Sequence, residues 1–399
     1  MTSQSKIVGG TLLVAGTTIG AGMLALPVVT GQAGFIPSAV LFVVYWIYMT
    51  YSALLTLEAN LWFKNETNLV TLTRDVLGRP GEIISWGLYL YLLYALTTAY
   101  IAGSTPIFQN IVQNVFGIHL PTWAGPLPLL GLFGTAVYFG TRTVDKVNRL
   151  LMLGLVVCYF AMLFFILPEI KLSYLMERNW PALEIGISVV ATSFGFHIII
   201  PSLSTYLHRD PVALRKCILW GSTIPLAVYL LWELLTLGVS PQESIAKAYE
   251  QGLDGATLLS NILHNSNIAF FSSTFSFFAI VTSFIGVSLS LSHFLEDGLK
   301  LQQTTLHRVL STFLTFGPPL VIALIDPRAF LSALEYAGAF GVVILLGLIP
   351  AVMVWIGRYH QNRISHYKVV GGKFGLILTI LFSITVIVIE LIKKLGDVA

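Results

Sequence analysis

Gly16-Thr17-Thr18-Ile19-Gly20-Ala21-Gly22 lies in the middle of an apolar run from about Ile7 to Thr30. A run of roughly 20 apolar residues can cross a membrane as a helix, yet this one carries small and hydroxylated residues at mid-depth. Lipid satisfies no freed N–H or C=O, so an unwound backbone there needs protein or a wet cavity around it. A second run, from about Ile185 to Leu207, is interrupted in the same way by Ser193-Phe194-Gly195-Phe196-His197. A matched pair of such interruptions in corresponding halves of a chain points to a binding site at the membrane midplane.

Composition agrees with a membrane setting. Of 399 residues, 56% are hydrophobic and 10% charged, against about 25% charged in soluble domains. The chain reads as a single polytopic, all-α membrane domain over residues 1–399. Cys158 and Cys217 fall in or beside apolar spans and read as packing residues. Lys6 leads into a segment too long for a signal-peptide core, so the first span is expected to remain in the mature chain.

Apolar windows give eleven spans, near 7–30, 35–62, 83–114, 125–139, 149–167, 184–207, 216–238, 270–294, 309–325, 329–356 and 373–392. With the N-terminus inside, sixteen of the 22 basic residues fall on the inner side. Lys171, Arg178, Lys247, Arg328, Lys393 and Lys394 fall outside. This bias predicts a cytoplasmic N-terminus and a C-terminus on the far side. The interrupted spans are the first and sixth, so a second five-span unit must insert upside down relative to the first. An inverted 5+5 repeat follows: 7–167 mirrored by 184–356, with 373–392 as an extra helix. Pro27 and Pro201 echo the pairing, leaving the carbonyls of Met23 and His197 without their usual helical donors.

An interrupted helix offers two facing ends. N–H groups near Gly20, Ala21 and Gly22 suit a carboxylate, while carbonyls near Gly16 and Thr17 suit an ammonium group or a bare cation. Together they match a zwitterion such as a free amino acid. Thr17 and Thr18 can bond the ligand or back-bond within the helix. Phe194 and Phe196 flank the second break, to stack on a flat side chain or to pack. His197 is an ionisable residue deep in a span, a candidate proton relay, ligand contact or interhelical bond. Tyr94, Thr97, Thr98 and Ile101 share one face of the third span. Thr282 and Ser283 are adjacent hydroxyls in the eighth span, able to ligate a small cation with first-span carbonyls. Glu58 and Glu335 read as carboxylates snorkelling near span ends, and Glu233 and Glu390 as closer still to water. No Walker loop, dinucleotide fingerprint, HExxH or Cys/His metal spacing is present, so neither an enzyme, a cofactor nor a metal is expected. Basic residues in short loops give no nucleic-acid patch.

At these residues the chain resembles the bacterial hydroxy/aromatic amino acid permeases. The matching stretches are Ala15 to Pro27, Tyr94-Ala95-Leu96-Thr97, Ser193 to His197, Gly221-Ser222, Thr282-Ser283-Phe284, Pro318-Pro319 and Tyr336-Ala337-Gly338. The resemblance implies a LeuT-like fold in the bacterial inner membrane that imports an aromatic amino acid, tyrosine first, by symport. The two breaks and the polar stripe of the third span make Gly16, Thr17, Thr18, Gly20, Ala21, Gly22, Tyr94, Thr97, Thr98, Ser193, Phe194, Gly195, Phe196 and His197 the candidate substrate contacts. Relatives are coupled to protons, for which His197, deep in its span, is the candidate relay. The Thr282/Ser283 pair resembles a sodium-ligating hydroxyl pair of more distant members of the fold, the alternative.

Overall fold

A computed structural model describes residues 3–63, 68–263, 265–300, 304–326, 328–364 and 367–396. Among them every regular element is helical. The first span is two helices, α1 (Ser3–Thr18) and α2 (Gly22–Val29), bent by 54° across the glycine stretch. Next come α3 (Phe35–Leu61), α4 (Leu69–Phe116) and α5 (Thr141–Ile166). The sixth span is α6 (Leu183–Ser193) followed, after an irregular break, by α7 (Ile200–Tyr206). Then follow α8 (Pro211–Val239), two short helices α9 (Gln242–Glu250) and α10 (Gly255–Ile262), α11 (Ser266–Gly298) and α12 (Thr305–Ile325). The chain closes with α13 (Ala329–Tyr336), a π-helical stretch Ala337–Leu348, α14 (Ile349–Tyr359) and α15 (Gly372–Gly396).

Local chemistry places several of these ends. Asp210 caps α8 through the N–H groups of Val212 (2.9 Å) and Ala213 (3.3 Å), with Pro211 in the first turn. Asp254 caps α10 likewise, at 2.9 and 3.2 Å. Burial holds the Asp254 carboxyl above its ordinary range. Gly78, at φ 74° and ψ −167°, breaks α4 just before Pro80, in a conformation that only glycine adopts freely.

Nine helices among the described residues are long and apolar enough to cross a membrane, and the bent pair α1–α2 makes ten. The 125–139 window, expected as an eleventh, forms a helix over 127–138 interrupted by a π-type turn at Leu130–Gly134. At ~1.5 Å per residue it reaches ~18 Å, short of the ~30 Å hydrocarbon layer. The fifth span begins earlier than its apolar window, at Thr141, because a polar first turn still propagates a helix, whereas residues 69–77, cut off by the break at Gly78, form a separate helix ahead of the third span.

The helices pack in a defined set of pairs. α1 lies on α8, and α6 and α7 lie on α3. α4 packs on α13 and the π stretch, and α11 packs on α5. α4 meets α11 at the centre, and α2 meets α6. Large side chains wholly buried between them include Trp232, Tyr229, Phe275 and Phe284. Leu153, Phe160 and Phe164 on α5 face outward.

The four span carboxylates do not reach water. Glu58, Glu233, Glu335 and Glu390 are all buried. Glu58 pairs with both Arg358 nitrogens that face it and accepts the Val369 N–H at 2.7 Å. Glu335 lies 3.7 and 3.6 Å from Lys393 and Lys394. Glu390 accepts the Ser188 hydroxyl at 2.8 Å and stands 3.9 Å from Lys394. Glu233 lies 2.7 Å from the Thr30 hydroxyl. In each case a partner from another segment replaces hydration, which sequence spacing does not reveal.

Candidate functional site

The two breaks lie side by side. The last turn of α1 closes with Ile19 N–H donating to Ala15 O at 2.8 Å. Beyond it, the Gly16 and Thr17 carbonyls receive no backbone donor among the described residues, and the Gly20 N–H finds no backbone acceptor. α2 starts in tight turns, Met23 N–H to Gly20 O and Leu24 N–H to Ala21 O, both 3.1 Å. The Ala21 N–H is taken by Ser283 Oγ of α11 at 2.8 Å. On the other span, α6 ends with Phe194 N–H on Ala191 O (3.3 Å) and Gly195 N–H on Thr192 O (3.2 Å), after which Phe196 leaves helical geometry. A Cβ on Gly22 would stand 3.1 Å from Ser193 Oγ, so glycine is what lets α2 approach α6. The Tyr229 hydroxyl of α8 joins the two, 2.7 Å from Thr18 O and 2.8 Å from Ser193 O.

These ends frame a cavity of about 330 Å³, at the small end of the ~300–1,000 Å³ usual for small-molecule sites. Gly16 to Gly20, Gly22, Thr192, Ser193 and Gly195 line it from the interrupted spans. α4 contributes Tyr89, Leu92, Leu93, Leu96 and Tyr100, α5 contributes Asn148 and Met152, and α11 contributes Thr282, Ser283, Gly286, Val287 and Ser290. Access is one-sided. Every residue from Ala21 to Thr30 is buried, whereas Gly16 is exposed. A Cβ at Gly16 or Gly286 would meet nothing within 4 Å. The cavity therefore opens toward the end of the bundle that carries Ser3. On the opposite side α2 closes it, with α10 packed so tightly on α2 that a Cβ at Gly255 would stand 3.1 Å from Leu24 O.

Of the residues singled out from sequence, Gly16, Thr17, Thr18, Gly20, Gly22, Ser193, Gly195, Thr282 and Ser283 come together around this cavity. Ala21 sits behind its wall. The hydroxyls of Thr17, Thr18 and Thr282 back-bond to Leu13 O (2.8 Å), Val14 O (2.7 Å) and Phe278 O (2.7 Å). Tyr94, Thr97 and Thr98 lie elsewhere. Thr97 and Thr98 back-bond to Leu93 O and Tyr94 O, and the Tyr94 hydroxyl donates to Leu314 O at 2.9 Å. Tyr94 and Thr98 line a separate cavity with Asp326 and Tyr336. Phe194 packs edge-on against Tyr229 at 5.2 Å. Phe196 is in a packed cluster with Val14, Ile200 and Leu203. His197 is wholly buried, and neither ring nitrogen has a hydrogen-bond partner among the described residues.

Tyr89, Tyr100, Asn148 and Tyr229 are the site residues that sequence reading missed. On α4 the signal was present: Tyr89, Leu92, Leu93, Leu96 and Tyr100 repeat at one-face helical spacing. The neighbouring stripe of Tyr94, Thr97 and Thr98 is more polar, but the two threonines bond within α4 and the tyrosine bonds Leu314 O on α12. Among the described residues no three His, Cys, Asp or Glu side chains gather to hold a metal.

The tryptophan/tyrosine permease family matches residues 3–390. The chain is 38% identical to tyrosine-specific transport system 1 of Haemophilus influenzae over 98% of each chain. It is 34% identical to the tryptophan-specific transport protein of the same organism, over 98% of this chain and 97% of the relative. Tyrosine-specific transport system 2 of that organism is 33% identical over 98% of each. Full-length similarity to transport proteins, together with ten membrane-length segments, makes this a multi-pass permease and not an enzyme. The chain belongs to the tryptophan/tyrosine permease family.

Proposed function

We propose that the chain imports an aromatic amino acid, with tyrosine as the favoured cargo, across the bacterial inner membrane. The observation that carries this reading is the convergence of free carbonyls at Gly16 and Thr17 and a free N–H at Gly20 on one small cavity. Carbonyls take an ammonium group and N–H groups take a carboxylate, so the wall is matched to a zwitterion. Tyrosine is favoured by the 38% identity to tyrosine-specific transport system 1, against 34% to the tryptophan-specific transport protein. A cargo ring would lie against α4, whose Leu92, Leu93 and Leu96 line the same cavity.

The packed pairs support an inverted repeat. Exchanging first for sixth span, second for seventh, third for eighth and fifth for tenth turns α1 on α8 into α6–α7 on α3. The same exchange turns α4 on α13 into α11 on α5. Counting the short 127–138 helix as the fourth span gives eleven, in a LeuT-like arrangement. With the basic residues inside, the cavity faces the cytoplasm, and alternating access requires α2 and α10 to part on the other side. A proton is the favoured coupling ion. Thr282 Oγ1 donates to Phe278 O and keeps both lone pairs, and Ser283 Oγ accepts the Ala21 N–H and keeps one, so this hydroxyl pair stays the alternative, a sodium site.

Purified protein in liposomes is expected to concentrate labelled tyrosine when the outside is made acid, with or without sodium. Unlabelled tyrosine should compete better than tryptophan, and serine least. Strict sodium dependence would contradict the proton assignment. Failure to concentrate any amino acid under either gradient would contradict the transport reading.

A further inference from the structure

Thr18 and Ser193 end the helices before the two breaks, and their carbonyls meet at a single atom. That atom is the Tyr229 hydroxyl, 2.7 Å from one oxygen and 2.8 Å from the other. The Tyr229 side chain is wholly buried and does not line the cavity, whereas Thr18 and Ser193 do. Phe194 holds its ring from the edge at 5.2 Å.

A phenol has one hydrogen to donate, and each carbonyl oxygen has two lone pairs. One O–H divided between two acceptors leaves each short of a full bond and each with a lone pair in hand. An ammonium group has several N–H donors and no acceptor, so it supplies what the two oxygens lack. It can do so only if both oxygens, carried on separate spans, point to one place.

We propose that Tyr229 is a positioning residue for the ammonium group of the cargo: its hydroxyl ties the Thr18 and Ser193 carbonyls together so that one cation engages both. The inference rests on the amino-acid reading above and adds the group that sets selectivity for a free amine. A cargo without the amine leaves two buried carbonyls under-donated and is rejected for that reason.

The test compares tyrosine with its des-amino analogue 3-(4-hydroxyphenyl)propionate, and with tryptophan, as ligands of wild-type and Tyr229→Phe protein. Loss of a hydrogen bond that orders a charged contact is expected to weaken tyrosine about tenfold, raising KM with little change in the saturated rate. The preference for tyrosine over the des-amino analogue should fall by a similar factor. The preference for tyrosine over tryptophan, which concerns the ring, should stay as in wild type. An unchanged preference for the amine in Tyr229→Phe would overturn the proposal while leaving the transport reading intact. Wild-type protein that binds no amino acid would end both.

A measurement without a variant guards against a Tyr229→Phe protein that does not fold. In wild-type protein carrying 13C in its serine and threonine carbonyls, solid-state NMR should show the Thr18 and Ser193 signals shifting together when tyrosine binds. The des-amino analogue should move neither. A shift of one carbonyl alone, or of neither with tyrosine, would overturn the proposal.

Discussion

Gly16 is the residue at which the site can be altered with least damage to the fold. A Cβ there meets nothing within 4 Å, so Gly16→Ala is expected within about 0.5 kcal/mol of wild-type stability. Gly16→Leu should insert equally well and stop most tyrosine uptake by filling the cavity, as thermal unfolding and uptake on the same preparations would check. Full uptake by Gly16→Leu would move the cargo elsewhere. Glu58 provides the opposite case. Its carboxylate and Arg358 are both buried and bonded to each other, and removing one partner strands the other charge. Glu58→Ala is therefore expected to destabilise by about 3–5 kcal/mol, with denaturation midpoints as the readout. The breaks were legible in sequence because glycine clusters, nearby prolines and the five-span spacing coincide at both. Tyr229 was not legible, since its hydroxyl is one polar atom within a run of leucines and valines. Only the approach of two other spans gives it partners. The carboxylates were misread for the same reason: Glu58 and Arg358 are far apart in the chain, and sequence spacing cannot bring them together.

Among elements, interruptions are easier to read than faces. Glycine and proline act on their own backbone, so both breaks fall where the residues place them. The face that a helix turns inward depends on its neighbours. α4 shows this: its most polar stripe bonds to its own carbonyls and to Leu314, while a stripe of leucines bounded by Tyr89 and Tyr100 meets the cavity. The contact between α6 and the segment following α13 is an element-scale constraint of another kind. A Cβ on Gly338 would overlap the Ser188 carbonyl oxygen, and backbone cannot move aside as a side chain can. Gly338→Ala should cost at least about 1–3 kcal/mol by overpacking, measured as loss of monodisperse protein on heating. Wild-type behaviour in that variant would mean that the two elements are further apart than described here.

At the scale of the whole molecule, one side of the bundle is sealed and the other is open. Cys158 and Cys217 are both buried, so single cysteines placed at Gly16 or Gly286 report access directly. Each is expected to react with a membrane-impermeant thiol reagent added from the N-terminal side, and Val28→Cys to resist it from either side. Labelling of Val28→Cys from the far side alone, with Gly16→Cys protected, would reverse the resting state described here. The order of spans and the basic-residue bias were legible from sequence, because both follow from hydropathy along the chain. Which side stands open was not, since it depends on the packing of α2 against α6 and α10.

The central claim is that backbone groups at two interrupted spans, and not a charged side chain, hold the cargo. A structure with tyrosine bound tests it most directly. The account predicts the ammonium group within hydrogen-bonding distance of carbonyls from both the Gly16–Thr18 turn and Ser193, with the carboxylate at the N–H groups near Gly20. Tyrosine seated instead in the cavity between Tyr94 and Tyr336, or with its ammonium on a carboxylate side chain, would contradict it.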